Sequence, residues 1–329
     1  MSLHINNTSG EYKMKKINFL ILICFMLIGC GSKKSETIAT VIPEKTQTSQ
    51  ELTFQEDWLQ KEAGTGINYG NNYKIIDGTL YGYGENNCGQ LGLGIIEGND
   101  VYHTEGVAIA EHVIHVATPG NNYVVYITDN GDLYGLGSNL NAVLGQKVDT
   151  SSPDYSEKIN LTKPVLIMTD VQYVATGRIH LLILKNDGTV WAIGDNMDGE
   201  LGNGTHGNVN LKNGKWTLPY SYEPIYVMSN AVYVAVGAFT SAAIKKDGSL
   251  WTWGDNSGAL IGNGYRGNGF PTASDCIVQK PLKVLEDVSM VWFEDNASVG
   301  INAFATVGEQ KNTYVWGNNY TATPTPLNK

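Results

Sequence analysis

Four kinds of residue in this 329-residue chain could carry chemistry: cysteines, histidines, a run of acids and two glycine-rich strings. The cysteines are Cys24, Cys30, Cys88 and Cys276, with no C-x-x-C pair among them, so a structural zinc site is not expected. Cys88 and Cys276 could pair in an oxidising compartment, but they lie in different repeats and spacing does not show that they meet; they read as two separate, half-buried thiols. The histidines are His4, His103, His112, His115, His180 and His206. None has a sequence neighbour from which a Ser-His-Asp or Cys-His relay could be assembled. Asp195-Asn196-Met197-Asp198-Gly199-Glu200 has the look of a calcium loop. It lacks the acid at every second position that a helix-loop-helix cation site needs, and reads as a surface turn. Gly202-Asn-Gly204-Thr-His-Gly207 and Gly262-Asn-Gly264-Tyr-Arg-Gly267 both fit G-x-G-x-x-G. A dinucleotide site requires a strand before that string, a helix after it and an acid about 20 residues on. Here both strings fall in loops of a strand-rich pattern, where turn formation explains them. No catalytic residue, metal ligand or cofactor is predicted, and the chain reads as a non-enzyme.

One cysteine has a different context. Lys15-Lys16 precede an apolar run from Ile17 to Ile28, broken by Asn18 and leading into Gly29-Cys30. A basic start, a short apolar stretch and a small residue before the cut make a secretory signal. The run is shorter than the roughly 20 residues a membrane-spanning helix needs. Leu27-Ile28-Gly29-Cys30 resembles the lipobox of bacterial lipoproteins, which implies that Cys30 is lipidated and becomes the new N-terminus. On this reading Met14 starts the signal and residues 1–13 are an upstream extension. Residues 1–30 are then extension and signal, and residues 31–50 a flexible tether rich in Ser, Thr, Lys and Gln. The implied localisation is extracytoplasmic, with acyl chains holding the protein at the cell membrane.

The elements that position everything else come from a repeat. Asp77-Gly-Thr-Leu-Tyr-Gly-Tyr-Gly84, Asn130-Gly-Asp-Leu-Tyr-Gly-Leu-Gly137, Asp187-Gly-Thr-Val-Trp-Ala-Ile-Gly194 and Asp247-Gly-Ser-Leu-Trp-Thr-Trp-Gly254 align. Lys311-Asn-Thr-Tyr-Val-Trp-Gly317 keeps the end of the pattern without the Asp-Gly. Two residues after each last glycine stands Asn86, Asn139, Asn196, Asn256 or Asn319, and eight residues after it, in four copies, Gly92, Gly145, Gly202 or Gly262. Constant offsets of this kind mark a repeat protein. Asp-Gly between apolar runs predicts a tight hairpin with both turn residues at positive φ. The runs before and after it read as strands, a third strand lies upstream (Tyr173–Gly177), and a fourth downstream is opened by Pro164, Pro224 or Pro281. Trp191, Trp251, Trp253 and Trp316 on these strands are read as core packing. Four antiparallel strands per unit predict an all-β fold, a β-propeller of about five four-stranded blades over residues 51–329. Repeats are expected near 64–113, 114–171, 172–232, 233–288 and 289–329.

The unit from Tyr173 to Gly204 resembles the regulator of chromosome condensation repeat, a β-propeller family commonly with seven blades, and the likeness extends over roughly residues 64–329. His180 occupies that family's Gly-x-x-His position, and the resemblance implies a packed or hydrogen-bonded role for it. Leu52-Thr-Phe54 resembles a spare outer strand, expected to complete the truncated last blade. Loop aromatics outside the framework, Tyr155, Trp216, Tyr220, Tyr222, Tyr265 and Phe270, are the candidate partner-binding residues, since Tyr and Trp give large contact area at small entropic cost. The formal charge of -10 argues against nucleic acid as a partner. The expected function is a membrane-anchored module that recognises an extracellular protein or glycan through its blade loops. The alternatives are a scaffold or regulatory subunit of a surface enzyme and, by family analogy, a guanine-nucleotide exchange factor.

Overall fold

Each repeat folds as an antiparallel meander because its apolar runs alternate with turns too short for anything but a hairpin. The computed structural model describes residues 71–119, 123–147, 159–207, 211–212, 215–216, 219–266, 276–296 and 300–327. All of these belong to one compact unit, residues 49–329. Sheet 1 contains β1 (Asn72–Ile76), β2 (Thr79–Glu85) and β3 (Tyr102–Ala110). A fourth strand for it would precede residue 71, outside the described residues. Sheet 2 contains β4 (Val113–Ala117), β5 (Tyr123–Thr128), β6 (Leu133–Ser138) and β7 (Asn160–Met168). Sheet 3 contains β8 (Val171–Thr176), β9 (His180–Lys185), β10 (Val190–Asp195) and, after a small hairpin of β11 (Leu211–Lys212) and β12 (Lys215–Trp216), β13 (Tyr220–Met228). Sheet 4 contains β14 (Ala231–Val236), β15 (Thr240–Lys245), β16 (Leu250–Asp255) and β17 (Ile277–Leu285). Sheet 5 contains β18 (Val288–Asn296), β19 (Gly300–Val307), β20 (Asn312–Gly317) and β21 (Thr325–Pro326). A 3-10 turn, Leu140–Ala142, follows β6.

The sheets pack face to face, each on the next. The first strands β4, β8, β14 and β18 touch one another in chain order and form the inner wall, where His115, Tyr173 and Tyr233 stack ring on ring. Between sheets 2 and 3 lie Val125, Ile127, Leu181, Ile183 and Ile193, all fully buried, with Leu144 inserted from a loop. Equivalent clusters join sheets 1 and 2, 3 and 4, and 4 and 5. Each fully buried aliphatic side chain contributes about 1.5–3 kcal/mol, and this stacking is what a lone blade lacks. The all-β propeller blade read from the sequence is thus the observed unit.

Two local expectations are corrected. The prolines do not open the outer strands: Pro164, Pro224 and Pro281 stand in mid-strand, where the register against the third strand shifts. A bulge on an edge strand leaves one residue without a ladder partner, so a missing N–H costs nothing there. Gly106 fills the same place in β3. Of the four Asp-Gly or Asn-Gly hairpins, only the first turns with both residues at positive φ, Asp77 (49°) and Gly78 (78°). In the second, third and fourth, the glycine alone is positive, and the preceding residues form an ordinary turn closed by the Gly188 N–H on the Lys185 carbonyl or its equivalent. The extra residue lets Asp187 and Asp247 accept from the backbone and hydroxyl of Thr189 and Ser249. The segment Leu52–Phe54 lies outside the described residues, and the outer place in sheet 5 is taken by β21, which pairs Thr325 and Pro326 with Val315 and Tyr314.

Candidate functional site

In an antiparallel meander the hairpins between second and third strands share one end of the blade, and the loops between third and fourth strands leave from the other. The latter end, the loop face, is built the same way in sheets 1 to 4; sheet 5 keeps the glycine, and its Asn319 is exposed. Each third strand finishes on a glycine at positive φ: Gly84, Gly137, Gly194, Gly254 and Gly317. Only glycine fits, because a Cβ on Gly254 would stand 2.5 Å from the Phe239 carbonyl oxygen, and one on Gly194 would press on that of Ile179. Two residues later a buried asparagine clips the loop. The Asn196 side-chain oxygen accepts the Leu201 N–H at 3.1 Å, and its amide donates to Thr205. Asn86, Asn139 and Asn256 do the same for Leu91, Leu144 and Ile261. The clip drives Leu91, Leu144, Leu201 and Ile261 inward, all almost fully buried. These contacts are why the asparagine and the second glycine keep fixed offsets in the sequence.

The acid run in the third loop is not a surface turn. Glu200 is fully buried and Asp195 nearly so, because the loop plugs into sheet 4. The Glu200 carbonyl accepts from the Trp253 indole at 2.8 Å and from the Ser241 hydroxyl at 2.9 Å. Its carboxylate takes the Asp198 N–H on Oε2, and Oε1 has no hydrogen-bond partner. Burial, reinforced by the neighbouring charges of Asp195 and Asp198, pushes the Glu200 carboxyl up to about 8. Burial also raises Asp195 and Asp198 to about 6; Asp255 of the next blade adds to the shift of Asp198, and His206 opposes it. Asn141 reaches across from the second loop to Asp195 at 3.2 Å. Among the described residues, no group of three or more His, Cys, Asp or Glu side chains is placed to hold a metal ion.

A serine and a histidine do meet, out of sight of the sequence. His180 Nε2 lies 3.1 Å from Ser241 Oγ, and both residues are fully buried. Because Ser241 gives its own hydrogen to the Glu200 carbonyl, the imidazole must donate from Nε2, leaving Nδ1 bare. A base that donates to its serine cannot take the serine's proton. Burial holds the imidazole down at about 3, so the pair is a neutral strut between blades 3 and 4. Trp253 and Trp316 are equally sealed, whereas Trp191 and Trp251 are only half-buried and keep one side at the rim. Cys276 is fully buried rather than half-buried, and Cys88 is half-buried as read.

Of the predicted contact residues, Tyr222 and Tyr265 are exposed on the loop face and Tyr220 is half-buried there. Tyr222 stands near the start of β13 and Tyr265 on the fourth loop: Lys147 of the second loop lies over the Tyr222 ring, and Tyr265 lends its carbonyl to Asn256. Trp216 closes the small β11–β12 hairpin, while Tyr155, Phe270 and the lipid-attachment residue Cys30 lie outside the described residues. The sequence reading missed the aliphatic side of this face. Leu93, Ile95, Ile96, Val101 and Tyr102 of the first loop are all exposed, joined by Leu140, Met197 and Tyr320 from other loops. The run Leu93-Gly-Ile-Ile96, apolar yet not alternating and set after the Leu-Gly, was the available signal.

A family model described as "Regulator of chromosome condensation (RCC1) repeat" matches residues 187–244, and a second of the same description matches residues 231–258. Residues 187–258 match the RCC1 repeat. The X-linked retinitis pigmentosa GTPase regulator of Canis lupus familiaris is 30% identical over 146 residues, 44% of this chain and 13% of that protein. Among solved structures, human WBSCR16 is similar with a TM-score of 0.60 and 22% identity, over 79% of this chain and 65% of that one. Prp20p from Saccharomyces cerevisiae gives 0.56 and 16%, over 79% and 61%. The chain therefore spans less than two thirds of the length of these relatives, and the two structures establish the RCC1-like propeller fold alone.

Proposed function

We propose that the chain is an extracytoplasmic binding module, anchored to the membrane through a lipidated Cys30, which recognises a partner protein with its loop face. The observation that carries this reading is the concentration of exposed apolar side chains at one end of the blades, Ile95 and Ile96 on the first loop, Tyr222 at the start of β13 and Tyr265 on the fourth loop. Exposed apolar surface gathered on loops and held by a rigid scaffold is the usual form of a protein-recognition site. The relatives support it in kind: the Prp20p structure was described with that protein's binding properties to Gsp1p and histones. The signal and lipobox resemblance supply the location. No reaction is assigned, because the one serine–histidine contact described is locked in the wrong direction for nucleophile activation.

Capture from surface extracts of the producing cell tests the partner. A discrete protein should be recovered by the wild type and lost with Ile95→Asp plus Tyr265→Ala; undiminished capture by that variant would refute the assignment of the face. Fractionation tests the anchor. Cys30→Ser should shift the protein from the membrane pellet to the soluble fraction, and an unchanged distribution would remove the lipid from the account.

A further inference from the structure

On the rim between sheets 3 and 4, beside the third loop, lies a groove of about 390 Å³ whose lining includes Gly202 and Asn203 of that loop. Tyr226 and Met228 of β13 form one wall, Trp251 of β16 and Pro281 of β17 the other, and Lys245 and Lys280 reach into it. Lys245 is held in place: its ammonium sits 4.3 Å from the centre of the Trp251 ring, and that ring is fixed by its indole hydrogen bond to Ser249 at 2.9 Å. The stem of Lys280 runs beside Gly204, where a Cβ would stand 2.5 Å from Lys280 Cε.

The preceding blade shows what has changed. There Lys185, at the position of Lys245, is paired with Asp170 at 3.7 Å. In the next repeat Asn230 takes the place of Asp170: each accepts the same backbone bond, from Asn186 and Lys246 respectively. The fourth repeat has thus lost the carboxylate and kept the lysine. The acids nearby have closer partners. Asp247 accepts from the Ser249 N–H and hydroxyl and feels the charge of Lys245 only more weakly, and Glu286 pairs with Lys283 at 2.7 Å. In a chain of formal charge -10, two cations beside a tryptophan and a tyrosine form a site for the opposite sign.

We propose that this groove binds an acidic peptide segment of a partner protein, carboxylates on Lys245 and Lys280 and a large apolar side chain between Trp251 and Tyr226. The site does not depend on the loop-face reading and is tested without knowledge of the partner. The probe is N-acetyl-Glu-Phe-Glu-amide, titrated while the indole N–H signal of Trp251 is followed by nitrogen-edited NMR. The signal should move saturably with this peptide and stay in place with N-acetyl-Lys-Phe-Lys-amide. Lys245→Ala with Lys280→Ala should weaken binding at least about tenfold with unchanged melting. Lys163→Glu, which alters the position of Lys280 in sheet 2, should leave the affinity as it is. No movement, equal movement with the basic peptide, full affinity in the double variant, or an equal loss in Lys163→Glu would each overturn the proposal.

Discussion

The loop after β2 and the loop after β10 follow the same path and differ in what fills it. Both begin with a buried asparagine that clips a leucine N–H, and both place a side chain at the same point over the turn. In the first loop that side chain is Gln90, whose oxygen accepts the Cys88 N–H at 2.7 Å and whose amide donates to Asn87 at 2.9 Å. In the third it is Glu200, which accepts the equivalent Asp198 N–H and has no donor left for its second oxygen. The amide satisfies both ends of the site, whereas the acid satisfies one and, when ionised, is charged in a fully buried place. At this point of the turn the first loop therefore carries no titratable group. The third is most stable when Glu200 keeps its proton.

The largest effect should come from breaking what the loops share. Asn196→Ala and Asn86→Ala each strand a buried leucine N–H and should cost about 3 kcal/mol, read as a shift of the urea midpoint. A loss below about 0.5 kcal/mol in either would show that the clip does not hold the loop. Next comes grafting the acid into the first loop. Gln90→Glu should destabilise by about 2 kcal/mol at pH 8 and recover much of that as the pH falls.

The reverse exchange sharpens the comparison. The Glu200 carboxyl binds its proton more tightly folded than unfolded, so the stability it supports is present at low pH. It is lost as the pH rises from the ordinary 4.5 through about 8. Glu200→Gln should therefore raise stability at pH 9 by about 1–2 kcal/mol, change little at pH 4, and flatten the profile between. A wild type as stable at pH 8 as at pH 5 would contradict this. The smallest effect should be that of Tyr265→Ala on stability, under about 0.5 kcal/mol, since the ring is exposed and contributes to contact rather than to folding.

The blade was legible because turn chemistry and strand period repeat together, and one four-stranded plan satisfies every copy. The clip was legible as an offset, Asn then Leu-Gly, but not as a mechanism, since nothing in the sequence says that the Asn196 oxygen faces the Leu201 N–H. The buried state of Glu200 was hidden for a different reason: an acid in a loop reads as solvated until the next blade is seen to close over it. The same closure joins His180 to Ser241 across 61 positions. Proline in mid-strand escaped because the bulge that tolerates it belongs to the pairing of two strands, which neither strand's sequence reveals. The aliphatic run Leu93–Ile96 escaped because apolar residues without alternation read as core until their exposure is seen.

The claim on which the rest depends is that the loop face, and not the hairpin end of the blades, meets the partner. A photo-crosslinking amino acid placed in turn at Ile95, at Tyr265 and at the hairpin residue Asp187 tests it in the producing cell. The account predicts a discrete heavier adduct from positions 95 and 265 and none from position 187. An adduct from 187 with neither of the others would place the partner at the opposite end and contradict it.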